Sequence, residues 1–275
     1  MNLKKDDITS IKPCLWVLHN MPRSGGTLVS KCFGSMQSNV LLSEIHPDAQ
    51  HALSFNALRQ AQQWYGLLPE KDWQKTGFVD AVTQIERAVS AESKQLILRD
   101  WSHVDYLGPP VTNDPAFKPA LLDILKSRFE IKSIQLVRHP LDTWLSLRRL
   151  DVIKKHKIDL AQFLAAYRLY LINTKADHQL VYEEFLRAPT KQLSSACESV
   201  GLMFDADYQD KWFTFDKITG DKSNQGSLRK APTISLRPRR QCHDIDMMWL
   251  NEQDDYRYIV NAIYVNQDLN LKDQQ

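Results

Sequence analysis

The sequence predicts an α/β fold, a three-layer sandwich in which a central parallel sheet of four or five strands is flanked by helices. Two observations predict it. First, short apolar runs of strand length alternate along the chain with longer segments whose apolar residues recur at helical spacing. Second, two of these runs pass directly into a helix through a turn that carries an arginine, Arg23 in one and Arg138 in the other. Because the carboxyl ends of parallel strands meet at one edge of a sheet, we expect both arginines there, where ligands bind in such sheets.

The first predicted strand, loop and helix lie between residues 15 and 36. Residues 15–18 are an apolar run of strand length, and residues 22–26, Pro-Arg-Ser-Gly-Gly, cannot extend it. Apolar residues then recur at helical spacing from Leu28 to Met36. This segment is therefore predicted to be a strand, a tight glycine loop and a helix.

The glycine loop has the chemistry of an anion-binding site. Backbone N–H groups at a helix N-terminus converge on one point, where the helix dipole adds partial positive charge. Gly25 and Gly26 let a ligand approach the backbone, and Arg23 adds a full positive charge. Ser24 and Thr27 can either cap the helix or donate to a ligand oxygen. An ordinary strand-to-helix turn capped by Ser24 is the alternative interpretation.

The other predicted elements follow in chain order. Further short strands are predicted at residues 40–42, 95–98, 134–137 and 179–182. One helix is predicted to end at about residue 129 and another to begin at residue 140. Further helices are predicted at 160–174, 190–200 and 244–267. Residues 48–93 are interpreted as a helical insertion, and residues 216–241 as a long irregular loop. We expect the whole chain, residues 1–275, to form a single domain.

Composition excludes several classes of protein. With 43% hydrophobic and 25% charged residues, the chain is typical of a globular rather than a disordered protein. The net charge of +2, with basic and acidic residues alternating over most of the length, argues against a nucleic-acid partner. The four cysteines lack the paired spacing of a zinc site, so no metal is expected and a reducing compartment is favoured. Without an apolar signal core or an apolar run of ~20 residues, the chain is predicted to be cytoplasmic with no membrane span.

Three segments resemble motifs of one enzyme family, the sulfotransferases that use 3′-phosphoadenosine 5′-phosphosulfate (PAPS). Residues 22–27, Pro-Arg-Ser-Gly-Gly-Thr, resemble the phosphosulfate-binding loop of this family. Residues 138–142, Arg-His-Pro-Leu-Asp, with Ser146 eight residues after the arginine, resemble its 3′-phosphate motif. Residues 181–183, Val-Tyr-Glu, resemble its hydrophobic-Tyr-Glu strand end. The first two motifs occur in the family's order about 115 residues apart, and the resemblance covers roughly residues 14–200.

The resemblance implies the P-loop NTPase-like fold of bacterial-type sulfotransferases, with PAPS as the donor and no metal. The glycine loop would hold the 5′-phosphosulfate, and Arg138 with Ser146 would hold the 3′-phosphate. The donor-binding residues so implied are Arg23, Ser24, Gly25, Gly26, Thr27, Arg138, Ser146 and Tyr182. In many members of the family a late basic run closes over the 3′-phosphate. The candidates here are Arg229 and Lys230, in competition with Lys222, Arg237, Arg239 and Arg240.

The implied reaction transfers a sulfuryl group to a hydroxyl or amine of a small-molecule or carbohydrate acceptor. By the logic of phosphoryl transfer, Arg23 and the loop amides would stabilise charge on the leaving phosphate. The acceptor must lose a proton, so a general base is needed near the donor sulfur. Glu44, after the second strand, and His103, after the third, are the two main candidates, followed by His46 and Asp100.

Several further assignments stay open. Arg99 could take the cationic role of a lysine that the family carries on this strand, or form a salt bridge with Asp100 or another acid. The candidates to stack on a sugar or an apolar ring of the acceptor are Trp64, Trp73, Trp101 and Tyr106. A P-loop kinase or NTPase is one alternative function, although Thr27 directly follows Gly26 where a P-loop needs a lysine. A nucleotide-binding module without a working base is another.

Overall fold

A computed structural model of the chain describes residues 12–69, 75–220, 233–236, 238, 240 and 242–272, with side chains described as far as residue 264. Within these residues five strands form one parallel sheet. The strands are β1 (Cys14–Asn20), β2 (Asn39–Ile45), β3 (Gln95–Asp100), β4 (Glu130–Val137) and β5 (His178–Val181). Their order in the sheet is β2-β3-β1-β4-β5. The predicted parallel α/β fold is therefore confirmed.

Helices make up most of the remaining described structure. The α-helices are α1 (Gly26–Ser35), α2 (Ala57–Tyr65), α3 (Phe78–Ala91), α4 (Ser102–Tyr106), α5 (Ala120–Leu125), α6 (Pro140–Leu147), α7 (Asp151–Lys155), α8 (Leu160–Asn173), α9 (Tyr182–Arg187), α10 (Pro189–Val200), α11 (Tyr208–Lys211), α12 (Met247–Glu252) and α13 (Asp254–Lys272). Short 3-10 helices lie at Pro47–Ala49, Leu53–Phe55 and Trp212–Thr214. No described helix is both long and apolar enough to cross a membrane.

Helices cover both faces of the sheet and so create the three layers. On one face, α1, α9 and α10 pack against alternate strand residues, among them Leu18 and Leu136. On the other face, α2, α3 and α5 pack against residues such as Val17 and Leu98. On the side of β4, the helices α6, α8 and α13 pack against a cluster that contains Val137. Because both faces are buried, the strands read as nearly continuous apolar runs, which is why they could be recognised in the sequence.

Two helix ends show how local sequence sets the boundaries. α8 begins with a capping box, in which the Asp159 side chain accepts from the Gln162 N–H and the Gln162 side chain accepts from the Asp159 N–H. α10 ends at Gly201, whose φ of 69° is the left-handed conformation that glycine adopts without strain. Both helices agree with their predicted bounds within two residues.

The segment between β2 and β3 is largely helical, as expected for residues 48–93, and contains two of the 3-10 helices together with α2 and α3. The predicted long loop at 216–241 is described only in part. Its described stretches, 216–220 and 233–236, contain neither helix nor strand, and residues 221–232 lie outside the described part of the chain. The single-domain assignment stays a prediction.

One irregularity in the sheet matters for the site. In the ladder between β2 and β3, Leu42 pairs with Leu98 and Ile45 pairs with Asp100, so two residues of β2 lie opposite one of β3. Glu44 is one of these two residues and has a φ of +54°. A bulge of this kind turns a side chain out of the regular alternation of a strand. Glu44 can therefore contribute its side chain to the carboxyl edge of the sheet.

Candidate functional site

A cavity of about 680 Å³ opens at the carboxyl edge of the sheet, where all five strands end. The lining residues at or just after the strand ends are Asn20, Glu44, Arg99, Asp100, Arg138 and Tyr182. The glycine loop and α1 contribute Pro22, Arg23, Gly25, Gly26, Thr27, Leu28 and Lys31. More distant segments contribute Phe55, Trp101, His103, Pro110, Ser146, Leu150, Val152, Trp212, Phe213, Gly220 and Arg240. Five of these described residues are arginine or lysine and two are acidic, so the lining favours an anionic ligand.

The glycine loop is built differently from the prediction in one respect. The Ser24 side chain is fully buried, and its hydroxyl donates to the Met21 carbonyl at 2.7 Å. The N-cap of α1 is Gly25, and no side chain caps the helix. Ser24 therefore shapes the loop from behind and is not among the lining residues, so the interpretation of Ser24 as a helix cap is wrong, and its contact with a ligand stays a prediction. Arg23 has a φ of +66°, a strained conformation for a residue with a side chain.

Both glycines of the loop occupy positions that leave no room for a Cβ atom. At Gly25, where φ is +103°, a Cβ would lie 2.1 Å from Cε2 of Tyr182. At Gly26 it would lie 2.5 Å from Cγ of Asn20. The Tyr182 ring and the Asn20 side chain thus pack directly against the loop backbone. These two side chains cover one side of the loop, and the start of α1 faces the cavity on the other side.

The two arginines predicted from separate motifs lie next to each other. Nε of Arg23 donates to Oγ of Ser146 at 3.0 Å, and Nη1 of Arg138 donates to the carbonyl of Arg23 at 3.0 Å. The guanidinium carbon of Arg138 also lies 5.0 Å from the centre of the Tyr182 ring. Arg23, Arg138, Ser146 and Tyr182 therefore line one continuous wall of the cavity, as the positions of their strand ends led us to expect.

The backbone of Arg138 is held firmly at the turn from β4 into α6. The Tyr167 hydroxyl donates to the Arg138 carbonyl at 2.7 Å and accepts from its N–H at 2.9 Å. A carboxylate oxygen of Glu183 accepts from the His139 N–H at 3.1 Å, beside the first turn of α6. Nε of Arg138 is buried and has no hydrogen-bond partner among the described residues. A buried donor left unsatisfied costs about 1–3 kcal/mol, so an anion bound beside it would be stabilised.

Further positive charge gathers at this wall. Burial, together with the charges of Arg149, Arg138 and Arg23, lowers the pKa of Arg240. Guanidinium groups that repel one another in this way are stabilised by a ligand with more than one negative charge. The arrangement therefore favours a phosphate or a similar polyanionic group over a single carboxylate.

Arg99 connects the loop side of the cavity to Glu44. It is buried, and it donates from Nε to Oδ1 of Asn20 at 3.0 Å and from Nη1 to Oγ of Ser43 at 3.3 Å. Its Nη2 lies 3.4 Å from Oε1 of Glu44, and Oγ1 of Thr219 donates to Oε2 of Glu44 at 2.8 Å. The acid paired with Arg99 is therefore Glu44.

Asp100, a minor candidate for the base, has different partners. Its Oδ2 is 2.8 Å from Nδ1 of His19 and accepts from Oγ of Ser102 at 2.7 Å. All three residues are buried. Asp100 contributes to the cavity lining, but its hydrogen bonds tie it to the interior behind the sheet edge.

His103 lines the cavity as a neutral imidazole. The Pro109 carbonyl can only accept, so Nε2 of His103 carries the proton and donates to it, and Nδ1 is the basic nitrogen. Burial lowers the pKa of His103, which keeps the ring neutral at pH 7. The neighbouring Trp101 ring stacks on Phe55 with ring centres 4.2 Å apart, and its centre is 6.4 Å from that of His103.

Some predicted site residues lie elsewhere. His46 is buried, with Nε2 bonded to Asp105 at 3.1 Å and Nδ1 accepting from the Asp48 N–H at 3.1 Å, so its assignment as a base is wrong. Tyr106 is buried with its hydroxyl 2.9 Å from that of Thr174. Neither Tyr106 nor Trp64 lines the cavity, so neither stacks on a ligand there. The predicted residues outside the described part of the chain are Trp73, Lys222, Arg229, Lys230, Arg237 and Arg239.

Other lining residues were not predicted from the sequence. Trp212 and Phe213 line the cavity beside α1, and Gly220 lines it so close to Glu44 that an added Cβ would clash with the carboxylate. Thr219 is not among the lining residues, but its hydroxyl donates to Oε2 of Glu44 at 2.8 Å. Asn20 could have been identified from its place at the end of β1, one residue before the loop begins to turn. Among the described residues no cluster of His, Cys, Asp and Glu side chains could hold a metal ion.

Comparison with solved structures identifies the fold. The chain is similar to the sulfotransferase domain from the Synechococcus PCC 7002 olefin synthase, with a TM-score of 0.66 and 20% identity over 95% of this chain and 98% of that domain. It is also similar to the sulfotransferase domain from the curacin biosynthetic pathway, with a TM-score of 0.62 and 15% identity over 92% of this chain and 98% of that domain. No protein-family model and no curated protein sequence matches the chain. The chain therefore has the fold of these sulfotransferase domains, which confirms the resemblance at the level of the fold.

Proposed function

We propose that the protein is a sulfotransferase that moves a sulfuryl group from PAPS to a hydroxyl or amine of an acceptor. One observation carries the proposal. The loop arginine Arg23 and the second-motif residues Arg138 and Ser146 are joined by direct hydrogen bonds inside one cavity. Two anion-binding elements side by side suit a nucleotide with phosphates at both its 5′ and its 3′ positions.

The donor would bind with its two charged ends against different elements. In this proposal the 5′-phosphosulfate lies at the start of α1, within reach of the N–H groups of residues 25–27 and of Arg23. The 3′-phosphate lies against Arg138 and Ser146, where the unpartnered Nε of Arg138 would gain an acceptor. Arg240 would add positive charge at the same place. Trp212 and Phe213, whose rings are nearly perpendicular with an angle of 83° between their planes, offer apolar contacts for the base of the nucleotide.

The chemistry would depend mainly on position and charge. In an in-line transfer, negative charge accumulates on the leaving phosphate, and donors already aimed at it lower the barrier. Arg23 and the loop N–H groups would supply that stabilisation. Arg99 lies between Asn20, at the end of β1, and the acid Glu44, so its charge would act close to the transferred group.

Two side chains compete for the role of general base. Glu44 is held at the cavity by Arg99 and Thr219, and its side chain is 12% exposed. His103 is neutral and offers Nδ1, but its other nitrogen is fixed to the Pro109 carbonyl. We assign the base to Glu44, because its bulged backbone and its hydrogen bonds hold a carboxylate at the edge of the sheet next to Arg99.

A binding screen tests this function. Thermal unfolding would be followed with adenosine 3′,5′-bisphosphate (PAP), ATP, AMP and NAD, because only a ligand that binds the native state raises the melting temperature. We expect PAP to give the largest increase and Arg138→Ala to abolish it. Arg128→Ala serves as the matched control, because Arg128 is exposed and outside the cavity lining. Stabilisation by ATP and not by PAP would favour the kinase alternative.

Turnover separates an enzyme from a binding module. PAPS would be incubated with panels of phenols, aliphatic alcohols, monosaccharides and amines, and release of PAP would be measured. We expect at least one panel to increase PAP release above the rate in buffer. PAP binding without accelerated release from any panel would favour a module without a working base.

A further inference from the structure

Thr219 contacts the carboxylate of Glu44 from a segment 175 residues further along the chain. Its hydroxyl is 2.8 Å from Oε2 of Glu44, and its N–H donates to Oγ of Ser43 at 3.1 Å. Thr219 is buried, at 9% exposure, so these bonds are shielded from water. A hydrogen bond to a charged group in such surroundings is stronger than one between neutral groups.

The hydrogen positions in this group follow from the partners. Oγ of Ser43 accepts from the Thr219 N–H and from Nη1 of Arg99, so its own proton is available for Oγ1 of Thr219 at 3.0 Å. The hydroxyl proton of Thr219 has two acceptors in range, the Ser43 carbonyl at 3.3 Å and Oε2 of Glu44 at 2.8 Å, and the carboxylate is the closer and stronger of the two. The result is a continuous path of donors from Arg99 through Ser43 and Thr219 to Oε2 of Glu44.

The other oxygen of Glu44 is constrained as well. Nη2 of Arg99 lies 3.4 Å from Oε1, and a Cβ at Gly220 would lie 2.4 Å from the same oxygen. The backbone of Glu44 is already in a strained conformation at the bulge, with φ of +54°. The carboxylate is therefore held between Arg99 on one side and the Thr219–Gly220 segment on the other.

We propose that Thr219 is a positioning residue that orients the Glu44 carboxylate for removal of the acceptor proton. This inference rests on the proposed sulfuryl transfer with Glu44 as the base. A general base must keep a fixed direction toward the proton that it removes. By donating to Oε2, the Thr219 hydroxyl fixes that direction and leaves the second lone pair of that oxygen available to the acceptor.

The test compares Thr219→Val, which keeps the shape and loses the hydroxyl, with Thr219→Ser, which keeps the hydroxyl. Carbon-13 NMR of carboxyl-labelled glutamate, in the complex with PAP, would follow the Glu44 resonance, identified with Glu44→Gln. We expect the chemical shift of this carbon at a fixed pH to change in Thr219→Val, because the hydrogen bond to Oε2 is lost. Thr219→Ser should keep the wild-type chemical shift.

Kinetic and binding controls separate this role from a general structural one. In the PAP-release assay Thr219→Val should lower kcat about tenfold, with the Kd for PAP unchanged and the activity restored in Thr219→Ser. Should Thr219→Val fail to fold, Thr219→Ala provides the same comparison. The inference is overturned if the variant without the hydroxyl keeps both the wild-type chemical shift of Glu44 and the wild-type kcat. Failure of the wild type to bind PAP would instead contradict the proposed function, and the two outcomes are measured separately.

Discussion

The sharpest expectation concerns Gly25→Ala. At this position φ is +103°, and the new Cβ would lie 2.1 Å from the Tyr182 ring. An ordinary carbon contact is about 3.5 Å, so the ring would have to move by roughly 1.4 Å. Tyr182 also lies against the guanidinium of Arg138, 5.0 Å from its carbon, so this displacement reaches both anion-binding elements. We expect the Kd for PAP to rise at least about tenfold, which corresponds to ~1.4 kcal/mol.

Gly201→Ala is a matched control for the cost of the backbone conformation. Gly201 also has a positive φ, +69°, but a Cβ there would meet nothing within 4 Å. Both variants should lose about 1 kcal/mol of folding stability from the left-handed backbone, which lowers the melting temperature by about 2–4 °C in a chain of this size. Isothermal titration with PAP and chemical denaturation would measure the two effects. Equal PAP affinity in Gly25→Ala and Gly201→Ala would refute the argument that the loop glycine and Tyr182 shape the site.

Three other expectations follow from the same geometry. In the proposed site the 3′-phosphate lies against Arg138 and Ser146, so Ser146→Ala should raise the Kd for PAP about five- to tenfold in titration calorimetry. The Kd for AMP, which lacks the 3′-phosphate, should stay within twofold. An equal loss for both nucleotides would contradict the assignment. Glu44→Gln should lower kcat for PAP release at least about a hundredfold, whereas His103→Gln should lower it less than tenfold. Both variants should still bind PAP. A larger loss of kcat in His103→Gln than in Glu44→Gln would transfer the role of base to His103. Burial lowers the pKa of His103, so the native state resists protonation of this ring and the folding stability should fall as the pH decreases below about 6.5. Chemical denaturation at pH 7 and pH 5 should show a smaller loss of stability in His103→Gln than in the wild type. An equal loss in both proteins would show that His103 does not contribute.

The fold could be predicted because its strands are buried on both faces. Apolar runs such as residues 15–18 and 134–137 are the direct consequence of that burial, and the turns that follow them carry their own signals. The proximity of Arg23 and Arg138 was predictable for the same reason, since parallel strands end at one edge. Their neighbouring positions follow from the order β2-β3-β1-β4-β5, in which β1 and β4 are adjacent.

The features that were missed depend on tertiary contacts or on exact backbone angles. Ser24 could not be told apart from a helix cap, because its partner, the Met21 carbonyl, is selected by the turn that Arg23 makes with positive φ. Thr219 gave no signal, because its contact with Glu44 joins segments far apart in sequence. His46 and Asp105 form a buried pair, and this pairing also depends on a tertiary contact, that of α4 with the end of β2.

A crystal structure of the protein with PAP tests the central claim most directly. The account predicts that the 5′-phosphate accepts hydrogen bonds from the N–H groups of Gly26 and Thr27, and that the 3′-phosphate lies within hydrogen-bond distance of Arg138 and Ser146. A nucleotide bound in the opposite direction, or at a surface away from Arg23 and Arg138, would contradict it.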